Sequence, residues 1–123
     1  MTIWESGRES GLLDDIIAGR KTIEGRLKRG KFAEYKVGDI IKLRRDTRDA
    51  KGILHDGTLD QARVKIVEIR EYPDFLSMCK AEGYEQIIPY AQSPEEAASE
   101  YDKYYPAKSQ SEYGVLAIEI VPI

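Results

Sequence analysis

The stretch Gly19-Arg20-Lys21-Thr22-Ile23-Glu24-Gly25-Arg26 joins a helical pattern to an extended one and carries most of the charged candidates for function. Before it, residues 10–18 place four apolar side chains at helical spacing, which predicts a short amphipathic helix capped by Ser10 and stopped by Gly19. After it, the apolar Ile23 and Leu27 have charged residues between them, which indicates an extended segment. We therefore expect the stretch to lie just beyond the C-terminal end of a helix.

Strands are predicted at three places further along the chain. Residues 40–43 follow a turn, residues 63–72 resume the strand pattern, and residues 113–121 are apolar almost throughout, as in a central strand. A break of phase within the second of these strands indicates either a β-bulge or burial of both faces. The polar residues 44–62, with a turn at 55–58, are expected to form a projecting hairpin or loop.

Two further helices are predicted, and they do not alternate regularly with the strands. Residues 73–82 have an apolar side formed by Phe75, Leu76 and Cys79. The stretch Ser93-Pro94-Glu95-Glu96 is a capping box that starts a third helix, which Pro106 ends. This order predicts the α+β class, with a small, mainly antiparallel sheet or barrel and helices packed at its edges, as one domain over residues 1–123.

The composition limits the classes of protein to which the chain can belong. Its 123 residues, of which 41% are apolar and 33% charged, are typical of a globular domain. The single cysteine has no intrachain partner and no Cys and His spacing matches a zinc site, so we expect no metal and no other cofactor. No run of residues resembles a signal peptide or a membrane span, which favours a cytoplasmic protein without a membrane partner.

Charge is distributed unevenly along the sequence. The formal net charge is −3, yet residues 20–51 contain 12 Lys and Arg against 5 Asp and Glu, whereas residues 52–123 contain 6 against 13. A basic region of this kind suits RNA or another phosphate-bearing partner. Alternatively, the two regions neutralise each other across the fold.

Lys21, Glu24 and Arg26 form the first candidate site. In an extended chain alternate residues share a face, so Glu24 and Arg26 are expected to point the same way and Lys21 to start on the other side. A bend at Gly19 or Gly25 would bring all three into one cleft. A carboxylate between two cations stays ionised there, and the lysine could polarise an oxygen or bind phosphate. The alternative is a solvated surface with salt bridges.

Other candidates lie outside this stretch. Glu82 precedes Gly83 at a helix end and offers a second carboxylate for acid–base chemistry, although such a residue is usually exposed. Four tyrosines near the C-terminus could stack on nucleobases or pack in the core: Tyr101, Tyr104, Tyr105 and Tyr113. No phosphate-binding loop or dinucleotide fingerprint is present.

The stretch at residues 19–26, the turn Val37-Gly38-Asp39 and the segment from residue 105 to residue 120 together resemble the ASCH family. The resemblance covers nearly the whole chain. It implies a PUA-like fold, a small β-barrel with flanking helices, and a cleft lined by the Gly-x-Lys-x-x-x-x-Arg stretch. It also implies recognition of RNA or of modified nucleosides.

One branch of that family, the small acetylcytidine amidohydrolases, is similar to this chain at residues 15–23. Those enzymes use a lysine, a threonine nucleophile three residues later and a downstream glutamate. The resemblance implies Lys21 for the first and Glu82 for the last, but Glu24 stands at the threonine position. A carboxylate cannot readily form the same ester and would instead pair with Lys21 or activate water.

Three functions therefore remain open at this point. The first is an RNA- or nucleotide-recognition module, whose ligand-binding residues are Gly19, Arg20, Thr22, Arg26, Tyr105 and Tyr113. The second is a hydrolase acting on a modified nucleoside or, as a ribonuclease, on RNA, whose catalytic residues are Lys21, Glu24 and Glu82. The third is a domain in which the charged stretch docks another protein.

Overall fold

A computed structural model describes residues 1–57 and 62–123, and these residues form an α+β fold. The strands are β1 (Ile3–Glu9), β2 (Ile23–Leu27), β3 (Ile40–Arg48), β4 (Leu54–His55), β5 (Ala62–Tyr72) and β6 (Val115–Pro122). The helices are α1 (Ser10–Ile17), α2 (Phe75–Glu82), α3 (Pro94–Asp102) and α4 (Ala107–Tyr113), and two 3₁₀ turns span Gly30–Glu34 and Tyr84–Gln86. None of the helices in the described ranges is long and apolar enough to cross a membrane.

The sheet has the strand order β1-β3-β5-β6-β2, with the short β4 paired to β3. Its ladders are antiparallel except for the parallel pair β1 and β3. The predicted α+β class and mainly antiparallel sheet are therefore confirmed. The barrel does not close, because within the described ranges no ladder joins the edge strands β1 and β2. Side chains bridge that gap instead, with Arg8 of β1 contacting Glu24 of β2.

Strand β6 has both faces buried at its centre, which explains its almost continuous apolar sequence. Leu116, Ile118 and Ile120 face a core that packs beneath α1, whereas Val115 and Ala117 face a second core that packs beneath α2 and α3. The prediction of a central strand is confirmed, since β6 lies between β5 and β2.

A β-bulge in β5 confirms one of the two predicted explanations for the break of phase. The register against β6 shifts between Ile66 and Glu68. The extra residue restores the phase, so that Val64, Ile66 and Ile69 all pack against the core beneath α1.

The predicted helices form, with changes at their ends and faces. In α1 the N-cap is Glu9 rather than Ser10. In α2 the buried side chain next to Phe75 and Cys79 is Met78, while Leu76 is exposed. The Ser93 hydroxyl accepts from the Glu96 backbone N–H as predicted for the start of α3.

One helix and one strand were not predicted. Helix α3 ends at Asp102, and the separate helix α4 follows from Ala107. Strand β1 was also missed. The predicted hairpin at residues 44–62 forms between β3 and β4, and Thr58 of its predicted turn lies outside the described residues.

Candidate functional site

A cavity of about 370 Å³ lies where the sheet fails to close, between β1 and β2. Strand β1 contributes Arg8 and its neighbours to the wall, and β2 contributes Glu24 and Arg26. Lys21, which precedes β2, completes the charged side of the cavity. The opposite wall is aromatic and comes from α3 and the residues that follow it. The open edge of the sheet therefore positions the cavity.

Three cations surround one carboxylate on the charged side. Arg8 Nε lies 2.8 Å from Glu24 Oε1, and Arg26 Nη2 lies 3.3 Å from Glu24 Oε2. Glu24 and Arg26 share a face of β2, as alternate residues of a strand do. Burial alone would raise the pKa of Glu24, but Arg8, Lys21 and Arg26 outweigh it and lower this pKa from 4.5 to about 2. Glu24 is therefore a fixed anion that holds the two guanidinium groups, and it is a poor base.

Lys21 reaches the cavity although the chain around it belongs to a loop. Gly19, at φ +79°, ends the turn after α1 in a conformation that favours glycine. The Lys21 ammonium donates to the carbonyl of Ile23 at 2.9 Å and to the carbonyl of Ile87. Burial lowers the pKa of Lys21 from 10.5 to about 8, and the nearby Arg26 and Arg8 add to this shift while Glu24 opposes it. The lysine is thus mostly charged at pH 7 but titrates within the range of mild base.

Gly25 lets the aromatic wall approach β2. A Cβ at this position would lie 2.9 Å from Met78 Cε and 3.0 Å from the Tyr101 ring and hydroxyl. Tyr101 is itself held by stacking on Phe75, with ring centroids 4.3 Å apart and planes inclined by 4°. Because glycine has no side chain, α3 can pack closely enough for its tyrosine to line the cavity.

The mouth of the cavity is aromatic and partly acidic. Tyr90 and Tyr104 are exposed by 56% and 66% and line the cavity together with Glu100. On the other side, Phe32 packs beneath Arg26, whose guanidinium carbon lies 5.2 Å from the ring centroid. The site therefore combines a buried cationic end with an open aromatic end.

The structure brings only some of the sequence-predicted site residues together. Of these candidates, the cavity is lined by Lys21, Glu24, Arg26, Tyr101, Tyr104 and Tyr105. The remaining candidates, which do not line it, are Gly19, Arg20, Thr22, Glu82 and Tyr113.

Gly19 has no side chain, and the other four residues that do not line the cavity each contact a residue elsewhere. Arg20 pairs with Asp15 at 2.7 Å, and the Thr22 hydroxyl donates to Gln86. Arg29 lies over the Tyr113 ring. Glu82 accepts two hydrogen bonds from Arg70, at 2.6 and 2.7 Å, and one from Tyr72. These bonds lower the pKa of Glu82 and keep its carboxylate at a separate ion-pair cluster.

Arg8 is the main site residue that the sequence did not reveal. It lies in a strand whose sequence lacks apolar alternation, so no pattern marked it as buried or functional. Tyr90 was also missed, since it stands alone after a proline. Among residues 1–57 and 62–123, no group of three or more His, Cys, Asp and Glu side chains is placed to hold a metal ion.

Comparisons with known proteins agree with the sequence resemblance. The model of the ASCH domain matches residues 11–123. The crystal structure of hypothetical protein PH0355 is similar, with a TM-score of 0.82 and 36% identity over 99% of this chain and 100% of that chain. The solution structure of PF0455 from Pyrococcus furiosus has a TM-score of 0.76 and 33% identity over 99% of this chain and 98% of that one.

A third solved structure has a similar fold but little sequence identity to this chain. Protein EF3133 from Enterococcus faecalis V583 has a TM-score of 0.59 and 12% identity, over 100% of this chain and 76% of that chain. No curated protein sequence matches the chain. The domain match and the two similar structures show that the chain belongs to the ASCH domain family.

Proposed function

We propose that this protein recognises RNA or a nucleotide by holding one phosphate-bearing nucleotide in the cavity between β1 and β2. Membership of the ASCH family supports an RNA-binding or hydrolase-like module at a general level. The geometry of the cavity favours the first of these.

The observation that carries the proposal is the buried excess of positive charge. In the cluster around Glu24, the cations Arg8, Lys21 and Arg26 outnumber that carboxylate by two charges at neutral pH. The rest of the lining adds the Glu9–Arg48 ion pair and Glu100, so the whole cavity keeps an excess of one positive charge. Like charges repel more strongly in a medium of low dielectric constant, so an anion that enters the cavity relieves this repulsion. Guanidinium groups carry several N–H donors that suit the oxygens of phosphate. Some of these donors are already used, since Arg8 Nη1 donates to the Ser6 hydroxyl and the Gly7 carbonyl, and Arg26 Nη1 donates to the Gly25 carbonyl. A phosphate is therefore the ligand group that best suits the charged end.

The open end of the cavity suits a nucleobase. Tyr90 and Tyr104 present exposed rings, and bases stack on such rings with little dependence on sequence. The volume of about 370 Å³ lies near the lower end of the usual range for small-molecule sites. It supports one nucleotide rather than a double helix as the occupant.

Calorimetric titration with CMP and AMP, compared with cytidine and adenosine, tests the proposal. We expect the monophosphates to bind at least tenfold more tightly than the nucleosides, and to bind more weakly as salt is raised. Arg26→Met should remove most of this preference. Arg20→Met is the matched control, because Arg20 belongs to the same segment but is exposed and pairs with Asp15.

Two results would contradict the proposal. One is equal affinity for nucleosides and monophosphates. The other is an equal loss in Arg20→Met and Arg26→Met, with both variants shown by thermal denaturation to remain folded.

A hydrolase acting on a modified nucleoside is the second candidate, and the state of Lys21 favours it. With a pKa of about 8, a substantial share of this side chain is a neutral amine in mildly alkaline solution, where it can accept a proton or attack a carbonyl. Acylated cytidines and RNA should be incubated with the protein at pH 8. Turnover that disappears in Lys21→Met and persists in Glu82→Gln would support this candidate, whereas absence of turnover on both substrates would exclude it.

A further inference from the structure

Two contacts between cations and aromatic rings involve residues that follow β2 in the chain. The guanidinium carbon of Arg29 lies 5.5 Å from the centroid of the Tyr113 ring. The ammonium of Lys31 lies 5.4 Å from the centroid of the Phe32 ring. Phe32 lines the cavity, whereas Arg29, Lys31 and Tyr113 do not. The contact of Lys31 with Phe32 therefore adjoins the cavity wall, and Arg29, which contacts Tyr113, lies two residues earlier in the chain.

The ends of two paired strands place these residues together. Leu27 at the end of β2 pairs with Val115 at the start of β6. The backbone N–H of Lys28 then donates to the carbonyl of Gly114 at 3.0 Å. Arg29 and Tyr113 are the next residues beyond this hydrogen bond on the two strands' extensions. The 3₁₀ turn Gly30–Glu34 then contains Lys31 and Phe32, of which Phe32 lines the cavity. The arrangement is thus fixed by the backbone of the sheet.

The two cations of these contacts are not held in ion pairs. In the described part of the chain, neither Arg29 nor Lys31 forms an ion pair with an Asp or Glu side chain. Lys31 donates to the backbone carbonyl of Glu5, and burial followed by Arg8, Arg26 and Arg44 lowers its pKa. Lys31 therefore lies close enough to feel the charges of Arg8 and Arg26, which belong to the buried end of the cavity, and it also feels the opposing charge of Glu5.

We propose that Arg29, Lys31, Phe32 and Tyr113 form a track for single-stranded RNA that binds the nucleotides next to the one held in the cavity. This inference rests on the proposed function and extends it from a nucleotide to a strand. Alternating cations and aromatic rings are the surface that single-stranded nucleic acids use, with bases stacked on the rings and phosphates near the cations. Here Tyr113 is the ring that receives a base, whereas Phe32 is covered by Arg26 and Lys31 and supports those cations. One nucleotide already meets the charge of the cavity, so the additional cations can contact the phosphates of neighbouring nucleotides. The exposed ring of Tyr113 offers a stacking surface that an acidic peptide does not require.

Fluorescence anisotropy with a labelled single-stranded RNA tetranucleotide, together with calorimetric titration of CMP, tests the track. Arg29→Ala, Lys31→Ala and Tyr113→Ala should each weaken binding of the tetranucleotide by about tenfold and leave the affinity for CMP within about twofold of the original. Removing either cation should also reduce the slope of log affinity against log salt by about 0.7. Tyr113→Phe should retain affinity because it keeps the ring. Lys108→Ala is the control, since Lys108 is an exposed cation on the same helix as Tyr113.

The outcomes separate this inference from the proposed function. If CMP binds but the tetranucleotide binds no more tightly, or if the three alanine variants match Lys108→Ala, the track is refuted and the nucleotide cavity stands. A poly-glutamate peptide that binds as tightly as the RNA, with no effect of Tyr113→Ala, would also refute it in favour of a protein partner. Absence of binding by both CMP and RNA would refute the proposed function and the track together.

Discussion

Glu24→Gln is expected to destabilise the protein by about 3 kcal/mol at neutral pH, because it leaves Arg8 and Arg26 buried without their shared counter-charge. The pKa of Glu24 gives this magnitude. It falls from 4.5 to about 2 on folding, and each unit of difference corresponds to about 1.4 kcal/mol. Removing one partner of a buried ion pair costs about 3–5 kcal/mol in other proteins, which agrees with this value.

The dependence on pH provides an independent check of the same reasoning. A carboxyl whose pKa is lowered by folding stabilises the folded state fully above its unfolded pKa and loses this effect as pH falls through its folded pKa. The difference in free energy of unfolding between the original protein and Glu24→Gln should therefore be largest above pH 4.5. It should shrink towards zero as the pH approaches 2.

Urea-induced unfolding, followed by circular dichroism at several pH values, measures this difference. Glu71→Gln is the matched control, because Glu71 pairs with Lys28 at 3.2 Å while its side chain is 53% exposed. An exposed pair of this kind contributes at most about 1 kcal/mol. If Glu24→Gln loses no more stability than Glu71→Gln, or if its loss does not depend on pH between 4.5 and 2, the buried charge cluster does not act as described.

Three further predictions follow from the surroundings of the cavity. The free energy of unfolding, measured by urea titration, should rise between pH 8 and pH 10.5, because buried Lys21 releases its proton at a lower pH in the folded state than in the unfolded chain. Lys21→Met should abolish this rise. Gly25→Ala should cost about 1–3 kcal/mol in thermal denaturation, because its Cβ would overlap Met78 and Tyr101, whereas Gly11→Ala, with open space around it, should not be destabilising. Glu82→Gln should lower stability because it removes the negative charge that pairs with Arg70, and it should leave the affinity for CMP unchanged. A loss of CMP affinity as large as that expected for Arg26→Met would instead place Glu82 in the site.

The sequence predicted those parts of the fold that local patterns determine. The capping box at Ser93 and the apolar run of β6 each depend on near neighbours along the chain, and both were identified correctly. The contact of Glu24 with Arg26 followed from the alternation of side chains in a strand. The approach of Arg8 to Glu24 could not be predicted in this way, because it depends on which strands become the two edges of the sheet.

Strand β1 borders the cavity, and the sequence did not reveal it. Both observations arise because β1 places polar side chains where other strands place apolar ones. Ser6 pairs in register with buried Leu43 and so faces the interior, and Arg8, two residues later, is buried on the same side. Strand β2 likewise turns Glu24 and Arg26 towards a core that its neighbour β6 fills with apolar residues.

The free energy of folding does not explain why Arg8, Glu24 and Arg26 are buried. Replacing a buried ion pair with well-packed apolar residues is often neutral or favourable by about 1–4 kcal/mol, so packing alone would favour Leu or Ile at these positions. Apolar residues there would also match the remaining strands and favour a continuous core. Local departures from the hydrophobic pattern are expected at functional sites. Under the proposed function, the unclosed edge and its buried charges have a common explanation: the fold gives up part of its apolar core so that a cationic cavity stays open for the nucleotide.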